Sequence, residues 1–108
     1  MAQLIINEEL EIEILAFERS LRKLENDIIT DLLSVQVTSN NFNDELVDSL
    51  KNYLYKGSIN KIEIKYNDEI LHSSETYDYI SSITIDANFS ENEANIIGRI
   101  SFAIKEGE

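Results

Sequence analysis

An alternation of side chains with period two over residues 59–104 constrains this chain more than any other feature of its sequence. Apolar side chains alternate with polar or charged ones over 61–66, 82–89 and 96–104, and Ile97 interrupts the polar side. Successive side chains of a β-strand point to opposite faces, so this pattern predicts a sheet with one buried and one solvent-facing side. We therefore expect three antiparallel strands, which form a scaffold and contain no chemistry of their own.

The first third of the chain supports two interpretations. Residues 10–14 alternate and follow a turn at 7–9, which predicts a hairpin over 3–17. Six apolar residues also have the 4-3-4-3-4 spacing of a helical seam: Leu10, Ile14, Phe17, Leu21, Leu24 and Ile28. The residues after Phe17 are good helix formers. We favour strand over helix here, and a second helix over 15–29 is the alternative.

The middle of the chain predicts one strand and one helix. Leu33, Val35 and Val37 alternate with polar residues and predict a strand. The polar segment 39–43 contains several residues that can cap a helix. Residues 44–54 follow it with acids in the first turn and apolar residues on one face, which predicts a helix.

The sheet region contains a tight turn and an unusual glycine. Asn67 and Asp68 predict a turn between 61–66 and 70–73, but a two-residue and a three-residue loop would place opposite faces of 70–73 against the preceding strand. Gly98 lies on the apolar face of its strand, which indicates a bulge or the close approach of a bulky side chain.

These elements together predict the fold class. We expect an α+β fold in which a mainly antiparallel sheet of about five to seven strands packs against one short helix at 44–54. A chain of 108 residues is long enough for one core but not for two, so we expect a single domain over 1–108.

Composition excludes several classes of protein. The chain has 21 acids against 9 bases and a formal net charge of −12, which disfavours direct binding to nucleic acid or to an anionic membrane. It has no cysteine, so it has no disulfide framework and no zinc-thiolate site. No apolar run approaches the ~20 residues that span a bilayer, and the N-terminus lacks the basic and apolar regions of a signal peptide. We expect a soluble protein that is not secreted by a signal peptide.

The sequence contains no recognisable catalytic or metal-binding constellation. His72 is the only histidine, and its neighbour Ser73 would point to the opposite face of a strand. The paired acids lie where turns are expected and are explained by solvation: Glu8 with Glu9, Asp68 with Glu69, and Glu91 with Glu93. The chain's 3 glycines form no phosphate-binding loop. We predict no catalytic residue, no cofactor and no metal site.

Four residues are candidates for contact with a partner protein. Tyr77 and Tyr79 are expected to share a face beside the loop at 73–76, and tyrosine is enriched among interface anchors. The rim of the core is the alternative location for both. The short strand at 70–73, with Ile70 and His72, is a candidate edge strand that could add to a neighbour's sheet.

About half of the chain resembles small, uncharacterised proteins of the tail modules of phages and prophages of low-GC Gram-positive bacteria. The resemblance is carried by the strand and acidic turn at 62–71, the strand at 80–85 and the acidic loop and closing strand at 92–102. The opening segment at 4–12 also fits their N-terminal hairpin, whereas 18–31 is more helical here than that pattern suggests. The resemblance implies a role in virion assembly and no catalytic residues.

We therefore expect a non-enzymatic virion structural protein that acts in tail or baseplate assembly through contacts with its own copies or with other virion proteins. We expect it in the virion or in the cytoplasm of the bacterial host, as an oligomer or as part of an assembly. The alternative is an acidic mimic of nucleic acid that inhibits a host nuclease or an anti-phage defence complex. The alternative requires carboxylates concentrated on one face, whereas solubility alone explains a dispersed charge.

Overall fold

The computed structural model describes residues 1–38 and 42–105, and these residues contain eight strands and one helix. In chain order the elements are β1 (Ala2–Ile6), β2 (Leu10–Ile14), β3 (Ala16–Lys23), β4 (Ile29–Thr38), α1 (Asp44–Lys51), β5 (Ile62–Tyr66), β6 (Glu69–Ser74), β7 (Tyr77–Phe89) and β8 (Ala94–Ile104).

The strands form two four-stranded sheets in which every neighbouring pair is antiparallel. The short sheet has the order β2-β1-β5-β6 and the long sheet has the order β3-β4-β8-β7. The expected class, a mainly antiparallel α+β fold with few helices, is confirmed. The strands divide between two sheets instead of one, and the described residues contain one strand more than the upper expected number.

Residues 15–29 adopt strand and turn structure, so the alternative of a second helix there is wrong. The chain passes from the short sheet at β2 to the long sheet at β3 through Leu15, whose N–H donates to the carbonyl of Gln36 at 2.8 Å. The turn after β3 is closed by the N–H of Leu24, which donates to the carbonyl of Ile28 at 2.7 Å. Pairing with β4 over eight residues overrides the local preference for helix.

The predicted helix is present and is slightly shorter than 44–54. The Asn43 side chain caps it by accepting from the N–H of Leu46 at 2.9 Å, and Asp44 and Glu45 lie in the first turn. The helix ends at Lys51. Of the polar segment expected to supply the cap, residues 39–41 lie outside the described residues.

One apolar core lies between the two sheets, because the inner faces of both sheets belong to a single cluster of buried side chains. The short sheet contributes Leu4, Ile6, Ile12, Ile14, Ile62 and Ile64. The long sheet contributes Leu33, Val35, Val37, Tyr77, Ile80, Ile100 and Phe102. Phe42, Leu50 and Ile59 close the core on the side of the helix.

The turn between β5 and β6 has the two-residue form, which settles the register left open by the sequence. Asn67 and Asp68 both have positive φ, 49° and 69°, as a type I′ turn requires. A bulge follows, because Ile64 is opposite His72 while Lys65 is opposite Ile70. His72 therefore shares the inner face of the short sheet with Ile64, and Ile70 lies on the outer face.

Candidate assembly interface

A polar cluster lies at one end of the core, where the inner face of the long sheet emerges from beneath the short sheet. Arg19 donates twice to Asp31, from Nε to Oδ1 at 3.1 Å and from Nη2 to Oδ2 at 2.7 Å. The hydroxyl of Tyr77 donates to Oδ1 of Asp31 at 2.9 Å. These three residues come from β3, β4 and β7, so the cluster ties the two edge strands of the long sheet to a central one.

The cluster has the electrostatics of a structural ion pair. The hydrogen bonds from Arg19 hold the pKa of Asp31 below its ordinary value, against the opposing effect of burial. Burial is the main cause that raises the pKa of Tyr77 to about 12, and the bond to Asp31 adds to it. Asp31 therefore stays ionised and Tyr77 neutral near pH 7, and neither group is poised for proton transfer.

His72 lies near this cluster without completing a catalytic arrangement. Its ring stacks on that of Phe17, with ring centroids 6.2 Å apart and an angle of 21° between the planes. Its Nε2 is buried and has no hydrogen-bond partner within the described part of the chain. Ser73 is opposite Glu63 in the register, on the outer face of the short sheet, and so points away from His72. In the described ranges no three His, Asp or Glu side chains are grouped so that they could hold a metal ion.

The structure corrects the prediction that Tyr77 and Tyr79 form a joint surface anchor. A register shift between them places Tyr77 opposite Ile104 and Tyr79 opposite Ala103, so they point to opposite faces. Tyr77 is fully buried and packs on Phe102 with ring centroids 6.2 Å apart. The alternative, a place in the core, applies to Tyr77, because its ring fills the end of the core.

The other candidate contact residues lie as follows. Tyr79 is half-buried. Ile70 is exposed on β6, which is an edge strand of the short sheet as predicted. His72 on the same strand is half-buried and faces inward, so of the four candidates Ile70 offers the largest exposed apolar surface.

The long sheet extends beyond the short sheet in the hairpin of β3 and β4. We call residues 20–32 the β3–β4 tip. Leu21 is 64% exposed and Ile29 is 62% exposed, although both lie on the face that continues from the buried Leu33. Leu24 and Ile28 in the turn are exposed as well. The tip thus presents a run of apolar side chains that nothing within the described residues covers.

The hairpin of β7 and β8 extends in the same way at the other end of the long sheet. We call residues 84–97 the β7–β8 tip. Phe89 is 78% exposed and Ile85 is 57% exposed, and Ile96 on the partner strand is exposed too. In the register these residues share a face with Gly98 and Ile100, which belong to the inner face. The core face of the long sheet therefore continues into solvent at both ends.

The outer face of the long sheet is polar. A shallow groove of about 490 Å³ runs over it beside β3, and its charged lining residues are Glu18 and Arg99, joined by the polar Ser34 and Gln36. Of the carboxylates on the described residues, Glu11 is on the outer side of the short sheet, Asp44 is on α1 and Asp86 is on the outer side of the long sheet. The acidic charge is thus distributed over several surfaces.

Comparisons of the chain with known protein families, with curated proteins and with solved structures found no match. The structure describes no helix that is both long and apolar enough to cross a membrane. The geometry itself therefore carries the functional argument.

Sequence reasoning missed both tips as candidate interfaces. Leu21, Leu24 and Ile28 are a signal in the sequence, but their spacing also fits a helical seam, so it does not identify an exposed hairpin. Ile85 and Phe89 continue the alternation of the buried strand, and the sequence does not show where the covering sheet ends. An alternating strand that is longer than its neighbours in the same chain is the pattern that could have indicated them.

Proposed function

We propose that this protein is a non-enzymatic structural subunit that acts through protein–protein contacts in the assembly of a phage or prophage tail or baseplate. The observation that carries the proposal is the inner face of the long sheet, which continues uncovered onto the β3–β4 and β7–β8 tips. Single exposed apolar residues are ordinary on a protein surface, but contiguous exposed apolar patches mark interaction sites.

The exposed apolar side chains of each tip could contribute enough free energy on burial to support association. Full burial of a large apolar side chain contributes about 1.5–3 kcal/mol. Each tip exposes at least three such side chains, among them Leu21 and Ile29 at one end and Ile85 and Phe89 at the other. Covering one tip thus yields several kcal/mol before the cost of association, and a dissociation constant of about 1 μM corresponds to about 8 kcal/mol.

The virion setting is supported by the resemblance of the strand and acidic-turn pattern to tail-module proteins. It is also in keeping with the exposed apolar side chains on the two hairpin tips. The alternative of a nucleic-acid mimic would need a concentrated acidic face. The distribution of Glu11, Asp44 and Asp86 over different surfaces does not favour it.

Sedimentation velocity over a wide range of concentration tests self-assembly. We expect the natural chain to form species larger than a monomer, and a variant with Ile85→Ser and Phe89→Ser to stay monomeric. A variant with Thr84→Ser and Asn88→Ser is the matched control, because these neighbours lie on the polar face of the same strand. The control should assemble as the natural chain does.

Mass spectrometry of density-purified virions from the encoding host tests the setting. We expect peptides of this chain at a constant ratio to known tail proteins, retained through washes at high salt because apolar contacts are weakly screened. A chain that stays monomeric at high concentration and is absent from the particles would contradict the proposal. Salt-sensitive retention by a basic nuclease would favour the mimic.

A further inference from the structure

We propose that the basic edge strand β3 of one copy pairs antiparallel with the acidic edge of β7 in a second copy, so that the long sheets join head to tail. The inference rests on the proposed function and specifies its interface. It identifies the occupant of the uncovered surface as a second copy of this chain.

Both edges have backbone N–H groups with no partner among residues 1–38 and 42–105. The N–H of Leu24 donates to the carbonyl of Ile28, so these two residues are a hydrogen-bonded pair of the β3–β4 ladder. Hydrogen-bonded pairs occur at every second residue of an antiparallel ladder. The N–H groups of odd-numbered β3 residues, such as Arg19 and Leu21, therefore point away from β4. In the β7–β8 ladder, the N–H of Ser90 donates to the carbonyl of Glu93, so even-numbered β7 residues at this end bond to β8. The N–H groups of the odd-numbered Ile85 and Phe89 therefore point away from β8. The loop at 53–59 occupies the start of β7 through bonds to Asp78 and Ile80, but no backbone bond to it is found over 81–89 in the described ranges.

The strand directions allow the sheet to continue without a change of pattern. Each neighbouring pair in the order β3-β4-β8-β7 is antiparallel, so β3 and β7 of one copy run in opposite directions. A second copy in the same orientation therefore presents its β3 antiparallel to β7 of the first. The eight residues of β3 fit the nine-residue free edge at 81–89.

The same pairing keeps the apolar face on one side. The residues with outward N–H groups are odd-numbered on both strands, and these are the residues that lie on the inner face. Residues directly opposite each other in an antiparallel pair share a face. Phe17 and Leu21 of one copy would thus lie beside Ile85 and Phe89 of the next, and each covers apolar surface that the other exposes.

The charges on the two edges favour pairing of β3 with β7 over pairing of two β3 edges or two β7 edges. β3 contains three bases against one acid, which gives a formal charge of +2 in a chain of net charge −12. Two of the bases, Arg19 and Lys23, form ion pairs within their own copy, so Arg22 is the base that β3 offers to a second copy. The free edge at 81–89 contains one acid, Asp86, and no base. Pairing β3 with β3, or β7 with β7, would place like charges together, which is destabilising.

Charge reversal tests the inference. Variant one carries Arg22→Glu and variant two carries Asp86→Lys, because Arg22 and Asp86 would be diagonal neighbours on the outer face when Leu21 lies beside Ile85. Alone, each should associate at least about tenfold more weakly than the natural chain, because like charges then meet at the joint. An equimolar mixture should recover association to within about threefold, because opposite charges meet again at both kinds of joint.

Matched controls carry the same change in charge away from the long sheet. Lys51→Glu corresponds to variant one, and Glu11→Lys corresponds to variant two. Both residues are exposed, on α1 and on β2. We expect each control to associate within about threefold of the natural chain, since like charges then do not meet at the joint. Circular dichroism confirms the fold of every variant.

Cross-linking gives a second test with natural charges, because the chain has no cysteine of its own. Copies with Ser20→Cys are mixed with copies with Thr84→Cys and treated with a short bis-maleimide. Both residues lie on the outer face of their edge strands. The inference predicts cross-links between the two kinds of copy and few within either kind.

The outcomes separate the two proposals. If the natural chain associates but the mixture shows no recovery, or if cross-links form within one kind of copy, the head-to-tail joint is wrong and the assembly role stands. If the natural chain remains monomeric at every concentration and virions lack it, both are wrong. Recovery in the mixture together with cross-links between unlike copies establishes the joint.

Discussion

Asp31 holds two strands at the end of the core through one carboxylate, which accepts from both Arg19 and Tyr77. Its side chain is 8% exposed in the ion pair, whereas that of Arg19 is 36% exposed. The hydroxyl of Tyr77 reaches Asp31 from a fully buried ring, so the loss of this acceptor would leave a buried donor unsatisfied. The cluster is a structural feature whose contribution to stability depends on pH.

We predict that Asp31→Asn lowers the free energy of unfolding by about 1–3 kcal/mol at pH 7. The folded pKa of Asp31 is depressed below its unfolded value of about 4, so the stabilisation is present above about pH 4 and is lost as pH falls through the folded pKa. The difference between the natural chain and the variant should therefore narrow in acid.

Urea unfolding at a series of pH values measures this effect. Asp27→Asn is the matched control, because Asp27 forms an exposed ion pair with Lys23 and asparagine tolerates its positive φ of 60°. The control should change stability by about 0.5 kcal/mol or less. A difference between the natural chain and Asp31→Asn that is independent of pH would contradict the role of the ionised carboxylate.

Gly98 is the second position at which a single residue decides the packing. The sequence indicated a bulge or a bulky neighbour there, and the neighbour is Phe42: a Cβ at position 98 would lie 2.6 Å from Cε2 and 2.7 Å from Cγ of its ring. We predict that Gly98→Ala destabilises the protein by about 1–3 kcal/mol, because the ring must move within a packed core.

A double-mutant cycle measures the coupling between the two positions. Phe42→Ala removes the obstructing ring and costs about 3–5 kcal/mol by itself, because Phe42 is buried. In that background Gly98→Ala should cost less than about 0.5 kcal/mol. Equal costs in both backgrounds would show that the glycine is needed for some other reason.

At the scale of elements, the two tips carry exposed apolar side chains, whereas the central strands are paired on both sides. β1, β4, β5 and β8 each lie between two neighbours in their sheets, whereas β3 and β7 are edge strands of the long sheet. All eight side chains of β3 are exposed. Its amides are therefore protected by pairing with β4 on one side alone.

We predict that the amides of Arg19, Leu21, Ile85 and Phe89 exchange with solvent rapidly in dilute, monomeric protein and become protected when the chain assembles. The reason is that their N–H groups face the free edges of the long sheet. Hydrogen exchange measured by mass spectrometry at two protein concentrations compares the exchange rates of these amides, with the central strands β1 and β5 as the internal reference. Exchange at these four amides that does not change on assembly would exclude both edges from the contact.

Comparison of particular elements shows how far the sequence could predict this fold. β7 and β8 follow from their alternation, and α1 follows from its acidic first turn and capping asparagine, because these signals are local. β3 was ambiguous, because its apolar residues are exposed on a hairpin and their spacing coincides with that of a helix. The burial of Tyr77 depends on a register shift after it, which alternation cannot reveal.

The candidate interface was less accessible to prediction than the fold. Ile70 and its edge strand could be located from the turn at 67–68 and the strand pattern around it. The exposure of Ile85 and Phe89 depends instead on the difference in length between two sheets that pack on each other. That difference is a tertiary property, and the sequence signal for it is an alternating strand that is longer than its neighbours in the chain.

At the scale of the whole molecule, the two complementary edges define the form of the assembly. A symmetric dimer uses one surface on each copy and stops at two, whereas a head-to-tail joint leaves an unused edge at each end. We predict that native mass spectrometry at increasing concentration shows a series of trimers and larger species, ending in either a ring or a filament. A distribution that stops at the dimer would exclude the head-to-tail joint.

The connectivity of the sheets also determines when the molecule can fold. β1 pairs with β5, where Leu4 is opposite Ile64, and β4 pairs with β8, where Val35 is opposite Ile100. Both central pairings thus join residues 56 or more positions apart, and chains dominated by such contacts fold in milliseconds to seconds. The long sheet cannot form its centre until β8, which pairs with β4, has left the ribosome. The β3–β4 tip is synthesised long before β8 and therefore spends that time as an exposed apolar hairpin, so chaperone binding during synthesis should concentrate on it.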